Sequence, residues 1–350
     1  MKRYFLFLSI LLLFASCKQK PADVHQESAN VHQKQGQEAT RKHCNAVYYW
    51  KTTFRLSAEE QDFLTSHQIE RLYLRYFDVV RDPDFQSEVL PVPEATLWFM
   101  DSIPSHLEVI PTVFIDNNLF KDCDMSQYAE LLVKRILTMT QTNDVPNVRE
   151  VQLDCDWTQT TEDAYFSFLR QVRSLLKVKS IELSTTIRLH QLRTKVPPVK
   201  RGVLMCYNTG GVRNPQTDNS ILNANDVALY AKNIQSYSLP LDVAYPTFSW
   251  AVWFSGNEFQ ALLRDLTTEN EHLTPIKENR YKVKKSFYQE GKYLSAGDEI
   301  RFESSDFEQI MQAKKMLEKS LKNYSVIIYH LDYNNLSKYT ENEISEIFAR

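Results

Sequence analysis

Glycine is scarce in this chain, seven residues in 350. A loop that cradles phosphate groups needs clustered glycines so that backbone N–H groups can close on the oxygens, and no such cluster exists, which counts against a nucleotide cofactor. The five cysteines show no C-x-x-C spacing. Neither a zinc site nor a thioredoxin-type pair is therefore indicated, and no metal or other cofactor is expected. An excess of one charge is also missing. Lys and Arg number 41 against 44 Asp and Glu, a net charge of −3, with no polybasic stripe to hold nucleic acid. No internal repeat is visible.

What is present begins at the N-terminus. Lys2 and Arg3 precede an apolar run, Tyr4 to Phe14, and then Ala15-Ser16-Cys17. That layout is a secretory signal, too short to span a membrane. The small residues followed by Cys17 resemble the lipobox of bacterial lipoproteins, although Phe14 stands where Leu is usual. The resemblance implies that Cys17 is lipidated and that the protein is anchored in the bacterial envelope, in the periplasm or on the outer-membrane surface. Residues 18–43 are rich in Gln, His, Lys, Glu and Ala and have only Val24 and Val31 as branched apolar residues. They cannot bury a core and read as a flexible tether of roughly 25–30 Å root-mean-square span. His25, His32 and His43 are irregularly spaced and read as solvated linker residues.

Residues 44–350 form the folded domain. Eight short apolar runs rich in β-branched and aromatic residues occur at Ala46–Trp50, Arg71–Phe77, Glu108–Ile115, Val148–Asp156, Ser180–Ile187, Gly202–Tyr207, Leu239–Tyr245 and Ser325–Leu331. Amphipathic stretches lie between them. Ser57 to Glu60 spells a capping box, and Thr160 to Asp163 leads into apolar residues at helical spacing. Tyr128–Met139, Asn225–Tyr237 and Ser305–Leu321 read as helices too. Alternating strands and helices, with the strands apolar on both faces, predict an α/β fold, a (β/α)8 TIM barrel. An open doubly wound sheet is the alternative. A small antiparallel insertion is expected before the last strand, at approximately residues 270–303, around the runs Tyr281–Tyr288 and Glu299–Phe302.

The acidic strand carries the chemistry. Alternation along Glu150–Thr158 sets Gln152, Asp154 and Asp156 on one face and Leu153, Cys155 and Trp157 on the other. Two carboxylates at the C-terminal end of a barrel strand are expensive to bury and point to an active-site mouth. Their Cα atoms are roughly 6.5–7 Å apart from strand rise. Such a pair suits glycosidase chemistry by distance, but not by position on opposite faces of a sugar. Asp156, nearer the mouth, is the expected acting group and Asp154 the residue that tunes it. Asp78, Asp116 and Asp332 end other strands, Arg75 or Arg188 can hold an acid ionised, and His330 is an alternative acid or base. By the same parity Cys155 and Cys206 should point outward as buried thiols.

Two strands resemble family 18 glycoside hydrolases, the chitinases and their relatives. The fourth, with Asp154 and Asp156, resembles that family's D-x-x-D-x-D-x-E strand. The sixth, Leu204-Met205-Cys206-Tyr207-Asn208, resembles its M-x-Y-D strand with Asn208 in place of Asp. The likeness implies a barrel with a glycan or oligosaccharide as its partner. Val151 stands where the leading Asp belongs and Thr158 where the catalytic Glu belongs, and a Thr hydroxyl cannot act as a general acid. Aromatics at or past strand ends, Tyr48, Trp50, Trp157, Tyr207, Tyr245, Trp250 and Trp253, suit sugar stacking or core filling. Substrate contacts are expected from Met205, Tyr207, Asn208, Trp50, Arg75, Tyr245, Trp250 and His330. Two readings stay open: a barrel that binds a glycan, with hydrolysis an open question, and a non-catalytic carbohydrate-binding or assembly lipoprotein.

Overall fold

A computed structural model describes residues 43–82 and 90–349. Eight parallel strands close into a barrel: β1 (Asn45–Tyr49), β2 (Ile69–Arg81), β3 (Glu108–Ile115), β4 (Glu150–Asp154), β5 (Glu182–Arg188), β6 (Arg201–Met205), β7 (Leu241–Pro246) and β8 (Val326–Tyr329). Closure is made by β1, which pairs with β2 on one side and with β8 on the other, Ala46 opposite Ile327. All eight apolar runs read from the sequence are these strands, and the open sheet is excluded.

Helices fill the outer layer: α1 (Ala58–Ser66), α2 (Tyr128–Thr142), α3 (Glu162–Lys177), α4 (Ala224–Ala231), α5 (Phe307–Glu318) and α6 (Glu341–Phe348). The capping box at α1 is formed on both sides, Ser57 accepting from the Glu60 amide and Glu60 from the Ser57 amide. Helix α3 buries Tyr165, Phe168, Leu169, Val172 and Leu176, its 3–4-spaced stripe, against the strands. Gly202 shows how tightly β6 fits. A Cβ there would lie 2.8 Å from Ile187 Cγ1 and 3.0 Å from a methyl of Leu239 and of Leu241. Strand β2 overruns the barrel, and its end pairs antiparallel with Pro91–Glu94.

The insertion is larger than the sequence reading drew it. It begins at Ser249, and its five antiparallel strands run in the order Glu258–Leu263, Ser249–Ser255, Glu299–Ser304, Arg280–Val283 and Leu273–Lys277. The overlooked part is a hairpin. Ser255 pairs with Glu258 across a two-residue turn in which Gly256 and Asn257 both have positive φ, as a tight hairpin turn requires. The sheet has a core of its own, including Ala251, Leu263, Val283 and Ile300.

Candidate functional site

The acidic strand ends on an arginine clamp. Alternation on β5 turns Ser184, Thr186 and Arg188 to the same interior as Gln152 and Asp154 on β4. Asp154 is buried, and its Oδ1 accepts from Thr186 Oγ1 at 2.6 Å and from Arg188 Nη2 at 3.0 Å. Arg188 Nε donates to Asp156, whose side chain is 56 % exposed. One guanidinium thus spans both acids, one below it and one at the surface.

Burial raises the Asp154 carboxyl above the usual range, while Arg188 pulls the other way. Burial also opposes the charge on Arg188, but Asp154 and Asp156 outweigh it and hold the guanidinium protonated. Two donors in this layer, Arg188 Nη1 and Gln152 Nε2, are buried without a hydrogen-bond partner among the described residues. Such donors normally meet an acceptor oxygen. Gln152 is itself fixed from the other side, since Tyr48 donates to its Oε1 at 2.7 Å.

At the same end of the barrel lies a set of aromatic rings centred on Tyr329, at the end of β8. Its centroid lies 5.0 Å from Tyr207, 5.5 Å from Tyr48, 5.7 Å from Phe248 and 5.8 Å from Trp50. Tyr207 donates to Met205 Sδ at 3.1 Å, a neighbour on the same interior face. Trp50 receives the Arg75 guanidinium over its ring at 5.6 Å, and Arg75 is paired in turn with Asp78. Trp250, on the insertion, packs on Phe248 at 5.0 Å, and its indole N–H donates to Glu303 at 2.6 Å.

That Glu303 is part of a buried brace. Arg301, fully buried, donates to Glu303 at 2.6 Å and to the carbonyls of Val212 and Asn214. Arg280 donates to the carbonyls of Pro215 and Thr217. Carbonyls of the loop after β6 are thereby bonded from the insertion, which holds that loop and Trp250 together.

The structure brings Asp154, Asp156, Arg188, Met205, Tyr207, Trp50, Arg75 and Trp250 to one end of the barrel. Asn208 lies one residue past Tyr207, exposed and with positive φ. Tyr245 does not join them. It is fully buried on the outer side of β7, in the electrostatic reach of Tyr324, Cys206 and Glu318, and belongs to the layer between sheet and helices. Trp157 is likewise core, packed on Phe166 and Tyr165. Trp253 donates to Asp298 inside the insertion. Burial pushes the His330 imidazole down to about 4, so at neutral pH the ring is the neutral imidazole and not an imidazolium acid. Asp116 caps the turn at Asn118, and Asp332 caps the short helix Tyr333–Leu336.

The sequence reading missed Tyr329 and Phe248 as site residues, and with them Thr186. Inward parity along β5 identifies Thr186. The eighth strand ends at Tyr329, two residues before the expected Leu331, which puts Tyr329 at the mouth. Thr158, at the position of the chitinase-like acid, is exposed and exchanges hydroxyl contacts with Thr160 at 2.9 Å and Thr161 at 3.4 Å.

Cys155 and Cys206 are fully buried, and burial raises both thiols, Cys206 to about 12. Neither thiolate is populated at neutral pH. A thiol reagent should therefore label them in the native protein no faster than global or local opening allows; labelling at the rate of a free thiol would contradict their outward, buried placement.

The fold is a (β/α)8 barrel that solved chitinases share. Among solved structures, the chain is similar to the spore cortex-lytic enzyme SleL of Bacillus megaterium QM B1551 (12 % identity, TM-score 0.51, covering 88 % of this chain and 75 % of that one). It is also similar to a chitinase from Chromobacterium violaceum ATCC 12472 (9 % identity, TM-score 0.51, covering 87 % and 98 %). A third is a GH18 chitinase from Cycas revoluta in complex with (GlcNAc)4 (9 % identity, TM-score 0.50, covering 87 % and 98 %). At such identities the likeness establishes the fold alone. No protein-family profile and no curated protein sequence matches the chain.

Proposed function

We propose that this chain is a lipid-anchored envelope protein whose barrel binds a glycan at its C-terminal mouth and does not cleave it through the acidic strand. The observation that carries this reading is the clamp: Arg188 closes on both Asp154 and Asp156, with Thr158 where the resembled family keeps its acid. A general acid must be free to reach the glycosidic oxygen, and here both carboxylates are engaged by one guanidinium, Asp154 being buried beneath it as well. Binding is supported by the partly exposed rings of Tyr329, Trp50 and Trp250, which rest on the buried rings of Tyr48, Tyr207 and Phe248, and by the two unpartnered donors on the barrel interior, a combination that suits the C–H faces and hydroxyls of a sugar. Of the readings the sequence leaves open, this favours the non-catalytic one.

The test is a panel of oligosaccharides offered to the folded domain, with binding read by calorimetry and cleavage by released reducing ends. Saturable binding without product is expected. Turnover that is lost in Asp156→Asn would overturn the reading and make Asp156 the acting group. Anchoring through Cys17, which lies outside the described residues, is supported by the signal layout; no described helix is long and apolar enough to cross a membrane. Cys17→Ala should move the protein from the membrane to the soluble fraction, and continued partitioning with membranes after signal cleavage would refute the lipid anchor.

A further inference from the structure

Beside the mouth lies a cavity of about 610 Å³ that none of the residues around Arg188 lines. Its position follows from two strands already described. Lys51 is the next residue out from Trp50 on the first, and Asp332 follows Tyr329-His330-Leu331 on the eighth; both line the cavity. The mouth and the cavity are therefore consecutive along the same two segments.

Three large apolar side chains flank this cavity and face water: Trp98 is 67 % exposed, Met100 49 % and Tyr333 45 %. Single exposed apolar residues are ordinary, but three around one cavity are not scattered. Trp98 is also held in place. Its backbone N–H donates to Thr52 at 2.9 Å, and it pairs in parallel with Thr53. The next residues, Phe99 and Phe54, anchor this small ladder to the core, and the indole N–H meets Met100 Sδ at 2.9 Å. A ring displayed from a rigid base loses little conformational freedom when something stacks on it.

The cavity between these rings is polar. Lys51 Nζ lies 2.6 Å from Glu60 and 3.4 Å from Asp332. Two cationic and three anionic side chains line it in all. A lipid tail would strand these groups dry, and an anion would meet a net negative lining. A neutral polyol fits, because neighbouring hydroxyls can bridge an ammonium and a carboxylate while the C–H face of the ring covers an indole.

We infer that this cavity is a second sugar subsite, taking the residues of a neutral oligosaccharide that extend beyond the mouth, with Trp98 as the stacking platform and Lys51 and Asp332 as the hydroxyl partners. The inference rests on the glycan-binding reading above and adds to it where the outer part of the chain lies.

The experiment titrates chitin oligomers, from the disaccharide to the hexasaccharide, into the full chain and into Trp98→Ala, Trp98→Tyr and Tyr329→Ala. Trp98 is exposed, so its removal should leave the fold intact, which thermal unfolding checks. Trp98→Ala is expected to bind the hexasaccharide about tenfold more weakly and the disaccharide unchanged, and Trp98→Tyr to recover most of the loss. Tyr329→Ala should weaken every length. If Trp98→Ala binds all lengths as the unsubstituted chain does, the subsite is wrong and the glycan reading survives. If the unsubstituted chain binds none of them, both fall.

Discussion

Replacing Arg188 with Met should lower the free energy of unfolding by about 3–5 kcal/mol at neutral pH, the usual consequence of removing one partner from a buried pair. Asp154, 4 % exposed, would keep only the Thr186 hydroxyl as a strong donor. The loss should depend on pH in a definite direction. Burial already raises the Asp154 carboxyl in the folded protein, so the folded state binds that proton more tightly than the unfolded chain does. Stability from such a group is complete below the ordinary carboxylate range and declines as pH rises through the folded value. Without Arg188 the upward shift grows. The deficit of Arg188→Met should therefore be largest at neutral pH and shrink in mild acid, as Asp154 takes up its proton. Adding Asp154→Asn to Arg188→Met removes the stranded charge and should restore part of the loss. Denaturant unfolding at the two pH values measures all of this; a neutral-pH deficit under about 1 kcal/mol would mean that the clamp is a surface pair in effect.

Tyr329→Ala should weaken glycan binding by about tenfold or more, corresponding to roughly 1.4 kcal/mol or greater. The ring is the hub of the aromatic set, with Tyr48, Trp50, Tyr207 and Phe248 all within 6 Å of its centroid. Tyr329→Phe keeps the plane and should keep most of the affinity, which separates stacking from the hydroxyl. Calorimetric titration of a bound oligosaccharide reads both variants. Unchanged affinity in Tyr329→Ala, with the fold intact by circular dichroism, would place the glycan elsewhere than over β8.

The eight barrel strands were legible because each is a short apolar run bounded by polar residues, and a strand buried on both faces has no other sequence form. The acidic strand was legible for the converse reason: Asp154 and Asp156 interrupt such a run where burial is most expensive. The first hairpin of the insertion is less legible: Gly256-Asn257 is a turn signal, but Trp250 and Trp253 also suit positions just past the end of the preceding barrel strand. Tyr245 was misplaced for a similar reason. Its parity on β7 could not be set until the register with Ile328 on β8 turned it toward Tyr324 and Cys206.

Local pattern, read along one segment at a time, therefore determined the class of fold, the order of its elements and the strand on which the two acids lie. The tertiary structure alone decided what those acids pair with. Arg188 is 32 residues from Asp156 in sequence, and Glu303 is 53 from Trp250. Pairings of that kind depend on which neighbouring strands turn the same face inward and at what height. Barrel closure and register set both, and no spacing within a single segment encodes them.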